Sequence, residues 1–490
     1  MRYWHDYSIA WENIINAIAT DSPAIKVTLM MRVLAERILD GTLPANAQVP
    51  PTRQIASRLG MGRNNVLRAL SMLVDQGYLI AKPRSGFYVA EVATQSARLL
   101  DPKKNVETIW QSRLPTPPIA KAQNHTPYIG NQVAFRGSGF DIQLFPANAW
   151  RDCEREAMSV TQISDWGRDN VEADDPRLIS QLRTQILPSH GIWAKPEEIL
   201  ITLGGQGARY LLARLLGGPD IYFGFEEPCL PDFVDVARLT GSKIVSLPTD
   251  REGAIPGSEL DSCDVAVLTP GHQFPTTAVM PLHRRHDVLT RAERRDCVLI
   301  EDTFETDLLV GSEKLPTLKS IDRSGRVIFI GTLCRQMAPG LRIGYVVADP
   351  RVIEKLRHLQ RLVHRHTPGN TQRALAIFIE RGHYRPFVRK VRLELERRGN
   401  LLKGALADHV PEIYVSHQDG ASSFWCELPP SKDGTQLAEM VKEAGLLVEA
   451  GQGFFHTATA LRNYLRLSIA SIQDDQILDG VQRLARILQG

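Results

Sequence analysis

Four polar side chains at the start of one short helical stretch carry the first recognisable chemistry. Arg63, Asn64, Asn65 and Arg68 lie off the apolar stripe of Val66, Leu70 and Leu73. Arginine can grip a phosphate or the edge of guanine, and asparagine can pair with adenine or a phosphate. Between Arg53 and Arg84 there are six basic residues (Arg53, Arg58, Arg63, Arg68, Lys82, Arg84) against one acid, Asp75, a local excess of +5. Charge concentrated in this way points to a polyanionic partner or to a solvated basic face. The six cysteines offer less: they are scattered, with no CxxC spacing. Reduced thiols are expected rather than disulfides or a zinc site.

The reading residues need a scaffold, and the neighbouring sequence supplies one. Lys26 to Leu39 has helical spacing with Val27, Met30, Leu34 and Ile38 inward, and Gly41 stops it. Thr52 is placed to cap a helix carrying Ile55, Ala56 and Leu59. Gly60-Met61-Gly62 turns the chain into a second helix, from about Arg63 to Asp75. Two short helices joined in this way form a helix-turn-helix, whose second helix brings its N-terminal residues closest to the major groove. Tyr78–Ala81 and Phe87–Val89 then read as strands around a basic tip, with Lys82 and Arg84 placed for phosphate contacts. Residues 24–90 resemble the winged helix of the GntR superfamily. The resemblance rests on Leu43-Pro44 ahead of Pro50-Pro-Thr-Arg53, Ala56-Ser-Arg-Leu-Gly60, Arg63-Asn-Asn-Val66, Leu73-Val-Asp-Gln-Gly-Tyr78, and Ser85-Gly86 before Val89. Ala45-Asn46 replaces the usual Pro-Gly and Thr52 the usual Ser, and neither change touches the reading face. The expected DNA-binding set is Arg53, Arg63, Asn64, Asn65, Arg68, Lys82 and Arg84, with double-stranded DNA as partner.

A chain of 490 residues, 43 % apolar and 23 % charged, has room for two or three domains of an ordinary soluble protein. No apolar run reaches the roughly 18–20 residues needed to span a membrane. The first twenty residues lack a signal-peptide block, so a cytoplasmic location and no membrane partner are expected. Residues 1–23 form an N-terminal extension, where Trp11, Ile14, Ile15 and Ile18 recur at helical spacing. Residues 91–133 lose periodicity around Pro115-Thr-Pro-Pro118 and read as a linker. From residue 134 to 490, strand-sized apolar runs alternate with helical stretches: Glu198–Thr202 before Ala208–Leu216, then Val265–Thr269, Cys297–Glu301 and Val327–Ile330. This alternation predicts an α/β domain with a mostly parallel sheet. After about Arg389 a small α+β subdomain is expected, with strands at Trp425–Leu428 and Leu465–Ile469.

The larger region is similar to fold-type I pyridoxal-phosphate (PLP) aminotransferases, and the whole order resembles the MocR subfamily of GntR regulators. The central segment is Phe329-Ile-Gly-Thr-Leu-Cys-Arg-Gln-Met-Ala-Pro-Gly-Leu-Arg-Ile-Gly-Tyr345. Supporting stretches are Asp141-Ile-Gln-Leu-Phe-Pro146 with Trp150, Thr269-Pro-Gly-His-Gln-Phe-Pro275 with Met280, and Glu301-Asp302 with Asp307. The resemblance makes Asp302 the pyridine-nitrogen carboxylate and Gly204-Gly-Gln206 the start of a phosphate-binding helix. It likewise makes Arg342 the phosphate arginine and Arg466 the carboxylate-binding arginine. Against this, Arg335 and Cys334 replace the Lys and Ser of the anchoring motif. Phe304 replaces a tyrosine, Leu230 replaces the stacking aromatic, and Gly271 and Thr277 depart from the pattern around His272.

An arginine stays protonated at neutral pH and cannot serve as a nucleophilic amine. The lysine aldimine, and with it transamination, is therefore not expected. Lys319 and Lys355 are the nearest lysines and stand outside the motif. The expected effector pocket comprises Gly205, Gln206, Leu230, His272, Asp302, Phe304, Arg335, Arg342 and Arg466, and its arginines favour an anionic ligand. Asp302 beside Arg335 is one candidate ion pair. Noncovalent binding of PLP or a PLP–amino-acid adduct, and a scaffold domain needing no ligand, remain alternatives. The reading is a non-enzymatic, homodimeric DNA-binding regulator with a degenerate PLP site and no metal.

Overall fold

Apolar residues three and four apart build the smaller unit. Helix α1 (Pro23–Leu39) turns Met30, Leu34 and Ile38 inward. Helix α2 (Thr52–Leu59) adds Ile55, Ala56 and Leu59, and α3 (Arg63–Asp75) adds Val66, Ala69, Leu70 and Leu73. Gly60 closes α2 in the left-handed region at φ 60°, where only glycine sits without strain. The expected Thr52 cap is corrected: Pro51 occupies the cap position and no side chain caps the helix. Proline preorganises the entry by fixing φ, so Thr52 becomes the first helical residue. Strands β1 (Leu79–Lys82) and β2 (Gly86–Val89) pair antiparallel, from Leu79 opposite Val89 to Lys82 opposite Gly86.

The computed structural model describes residues 23–91, 113, 133–137, 141–303, 305–309, 315–333, 337–457 and 461–489. The expected helix around Trp11 and Ile18, nearly all of the expected linker, Phe304 and Arg335 lie outside the described residues. The chain divides into two compact units, residues 1–117 and 118–490. Among the described residues no helix is long and apolar enough to cross a membrane.

In the larger unit, β3 (Val133–Ala134) pairs with a late strand, and an eight-stranded sheet follows. Its strands are β4 (Ile199–Leu203), β5 (Tyr222–Glu227), β6 (Lys243–Asp250), β7 (Gly253–Ala254), β8 (Val265–Leu268), β9 (Val298–Asp302), β10 (Val327–Thr332) and β11 (Ile343–Val347), in the order β4-β11-β10-β9-β8-β5-β6-β7. Only β11 and β7 run against the others. Strand periodicity decides which side chain meets which layer. Ile328 and Ile330 join one core with Phe223 and Phe225, while Phe329 joins the core on the opposite face. A second sheet, in the order β12-β13-β16-β15, uses β12 (Tyr414–Ser416), β13 (Ser423–Glu427), β15 (Glu449–Ala450) and β16 (Tyr464–Ser468). Strand β14 (Leu446–Leu447) is the partner of β3.

The parallel strands send their carboxyl ends to one edge, where the crevice of an open α/β sheet lies. Leu203, Glu226, Thr269 and Asp302 all come from that edge. Helix α4 (Gly204–Leu216) starts there directly from β4, four residues before the position predicted from apolar spacing. Helix α5 (Pro231–Leu239) starts there after β5.

Candidate effector pocket and nucleic-acid face

Asp302 ends β9 at only 7 % exposure. A carboxylate so enclosed needs a cation or strong donors. Arg209 supplies one: its Nε donates to Asp302 Oδ2 at 2.7 Å. Arg209 lies one helical turn after Gly205 on α4, so the two share a face. A Cβ added to Gly205 would sit 3.5 Å from the guanidinium carbon, an ordinary contact, so Arg209 packs directly over this first turn. The cavity beside the ion pair measures about 20 Å³, room for roughly one water. Phe225, Glu226, Leu230, Phe233, Val267 and Phe274 wall it.

Glu226 lies next to this pair, 2 % exposed. Its Oε2 accepts hydrogen bonds from the Thr269 amide at 3.2 Å, the Thr269 hydroxyl and Gln273 Nε2 at 3.3 Å. Its Oε1 has no hydrogen-bond partner among the described residues. Burial pushes the carboxyl up to about 7, against the pull of these donors, and the charge of Asp302 adds to the rise. The loop carrying His272 and Phe274 is held from behind by Arg285, on the helix α6 (Leu282–Arg295). Its guanidinium, 2 % exposed, donates to the carbonyls of Pro270, Met280 and Pro316 at 2.8, 2.9 and 2.8 Å.

A second cluster forms where α4 begins. Gly204 takes φ 64°, and a Cβ there would stand 3.2 Å from the Arg342 guanidinium carbon. Gly344 on β11 permits this approach, because a Cβ on it would lie 2.7 Å from the Gly204 carbonyl carbon. Arg342 is exposed and donates to the Leu203 carbonyl at 3.0 Å. Among the described residues no carboxylate lies within ion-pair distance of it. No side chain caps α4, so its first-turn amides and helix dipole face the same space. A guanidinium beside such a helix end suits an anion.

Arg466 has an anion within the fold. It lies opposite Glu449 in the β15–β16 register and forms an ion pair with it. It is 2 % exposed, with its guanidinium 4.9 Å from the Phe274 ring centre. Its charge is thus already matched within the sheet. Leu230 precedes α5 and packs beside Phe274, Trp425 and Phe454, an apolar substitute for a stacking ring. His272 is buried, and Gly205 and Gln206 lie in the first turn of α4. Among the described residues Asp302 pairs with Arg209, and Arg335, its expected partner, lies outside them. Lys319 offers no replacement amine, since its Nζ bonds the carbonyl of Val327, at the far end of β10, at 2.7 Å and burial pushes its pKa down. Lys355 is exposed on α7 (Pro350–His364).

Phosphate-binding features therefore fit PLP, and the ring position does not. Asp302 already holds a guanidinium, and the cavity beside that pair has room for roughly one water. Sequence reading missed Arg209, Glu226 and Glu449. Only Arg209 left a signal, its position one turn after Gly205 in a stretch read as a phosphate loop.

On the smaller unit, Arg53, Arg63, Asn64, Asn65, Arg68, Lys82 and Arg84 are all exposed. Gly62 leaves α3 without a side-chain cap, so its first amides stand beside Arg63, Asn64 and Asn65. Lys82 Nζ lies 4.4 Å from the Tyr88 ring centre, and Tyr88 Oη meets Ser85 Oγ at 2.6 Å. The tip residue Arg84 adopts φ 58°.

Comparison with known proteins accounts for both units. Residues 31–89 match the family of bacterial regulatory proteins named gntR, and residues 153–484 match aminotransferase class I and II. The HTH-type transcriptional regulator TauR of Rhodobacter capsulatus is 33 % identical over 475 residues, covering 94 % of this chain and 96 % of that protein. The probable rhizopine catabolism regulatory protein MocR of Rhizobium meliloti is 27 % identical over 389 residues, 79 % of this chain and 78 % of that one. Among solved structures, LysN, an α-aminoadipate aminotransferase of Thermus thermophilus, superposes with a TM-score of 0.66 at 25 % identity, covering 73 % of this chain and 92 % of that one. The chain belongs to the MocR branch of the GntR regulators, in which a GntR-type helix-turn-helix is fused to a fold-type I aminotransferase-like domain.

Proposed function

We propose that this protein regulates transcription as a homodimer on double-stranded DNA, and that its aminotransferase-like domain senses a small anion instead of transaminating. DNA is held by Arg53, Lys82 and Arg84 on phosphates, with Arg63, Asn64, Asn65 and Arg68 toward base edges. The dimer rests on the fold resemblance, and twofold symmetry suits paired half-sites. The single observation supporting the sensing role is Arg342: an exposed guanidinium beside the uncapped start of α4, with no carboxylate partner among the described residues. Arg335 in place of a lysine supports the absence of transamination. An anion that binds one arrangement of the protein better than another shifts DNA affinity by linkage.

The test is a titration of full-length protein with inorganic phosphate and with small mono- and dicarboxylates, followed by calorimetry. Arg342→Ala should weaken the best of these by about tenfold or more. Equal affinity in both proteins removes this anion site. Mobility shifts of its own promoter region, repeated across salt concentrations, test the DNA reading separately.

A further inference from the structure

The phosphate end of the pocket is open, yet its inner end is filled by a side chain of the protein itself. We propose that Arg209 is a built-in counter-ion, occupying the place on Asp302 that a cationic ring nitrogen would take, and that it sets the ligand class of the pocket. The site then takes small anions without a pyridine ring and excludes pyridoxal phosphates. This rests on the sensing role assigned above and specifies its chemistry.

Two observations converge. Arg209 Nε is 2.7 Å from Asp302 Oδ2, with both side chains largely buried at 12 % and 9 % exposure. A ring nitrogen would have to displace this guanidinium and leave it enclosed without its anion, the costly way to break a buried pair. The remaining space is only about 20 Å³, and Phe225, Phe233, Val267 and Phe274 close it with apolar surface. Among the described residues lining it, the acid besides Asp302 is Glu226, whose Oε1 has no partner among them. The positive charge stays inside the protein, and the ligand meets Arg342 and the α4 amides first.

Pyridoxamine 5′-phosphate is the suitable probe, because it keeps the ring and phosphate but lacks the aldehyde that reacts with surface lysines. Equilibrium dialysis of full-length wild-type protein should show no saturable binding below about 1 mM. Arg209→Leu should gain at least about tenfold in affinity, since ring and Asp302 can then meet. Adding Arg342→Ala to that variant should abolish the gain. Should Arg209→Leu fail to fold, Arg209→Gln, which can still donate to Asp302 but carries no charge, should also bind the probe better than wild type. Tight binding by wild type, no gain in a folded variant, or a gain that survives Arg342→Ala would each overturn the proposal. Failure of wild-type protein to bind DNA would overturn the regulator reading and leave this one standing.

Discussion

On the winged helix, Arg53, Arg63, Arg68, Lys82 and Arg84 stand in solvent, and none has a carboxylate partner among the described residues. In the larger unit the enclosed arginines are matched. Arg209 meets Asp302, Arg373 meets Asp175, Arg398 meets Asp141 and Arg466 meets Glu449. Arg285 is held by three carbonyls. Dielectric environment explains the contrast. An exposed guanidinium keeps its hydration and is available to a polyanion, whereas a buried one loses hydration and must be satisfied from within. An arginine inherited from a catalytic fold is therefore not by itself evidence of a ligand, as Arg466 illustrates. Arg342 is exposed like the DNA-facing set, and among the described residues no carboxylate lies within ion-pair distance of it.

Stranding a buried charge should give the largest effect. Asp302→Ala leaves Arg209 enclosed without its anion and should destabilise the protein by about 3 kcal/mol or more. Urea unfolding measures this, and Arg209→Leu/Asp302→Ala should recover most of the loss. A single variant as stable as wild type would show that the pair is not buried in solution.

Glu226 should come next. Its folded pKa is raised from 4.5 to about 7, so the native state holds a proton the unfolded chain has released in that window. Stability therefore falls as pH rises from about 4.5 to 7, by up to about 3 kcal/mol, and is unaffected by this group below the window. Glu226→Gln should flatten that decline and leave the variant more stable than wild type above pH 7. An equal change in unfolding free energy between pH 5 and pH 8 in wild type and Glu226→Gln would remove the titration.

Legibility in the sequence followed the range of the interaction. Val265–Leu268 and Val327–Ile330 were readable because strands buried on both faces give unbroken apolar runs. The start of α4 was not, since Gly204, Gly205 and Gly207 resemble a loop. Its helical path depends on Gly344 of another strand yielding space. Residue types marked Asp302 and Arg466 as chemically important, but their partners lie elsewhere in the fold. Arg209 precedes Asp302 by 93 positions, and Glu449 reaches Arg466 only through the β15–β16 register. The wing and the reading helix were readable because apolar spacing and turn glycines are local signals.

Smaller effects are expected on the solvent side of the comparison. Arg63→Ala or Arg68→Ala should cost about 1–3 kcal/mol in DNA affinity, with folding unchanged. Fluorescence anisotropy on promoter DNA checks the first part and thermal unfolding the second. Unaltered affinity in both variants would move the reading face elsewhere.

Lys82 provides the finest discrimination between a charge used outward and one used inward. Its ammonium lies 4.4 Å from the Tyr88 ring centre, so part of its field already falls on an aromatic face. If the charge also neutralises a phosphate, Lys82→Ala should reduce the slope of log affinity against log salt by about 1 and weaken all DNA sequences alike. If the charge serves only to brace the wing, the variant should instead lose a few tenths of a kcal/mol of stability with the salt slope unchanged. We expect the first outcome, because Lys82 faces solvent on β1 beside an exposed Arg84 and has no acidic neighbour to satisfy it among the described residues.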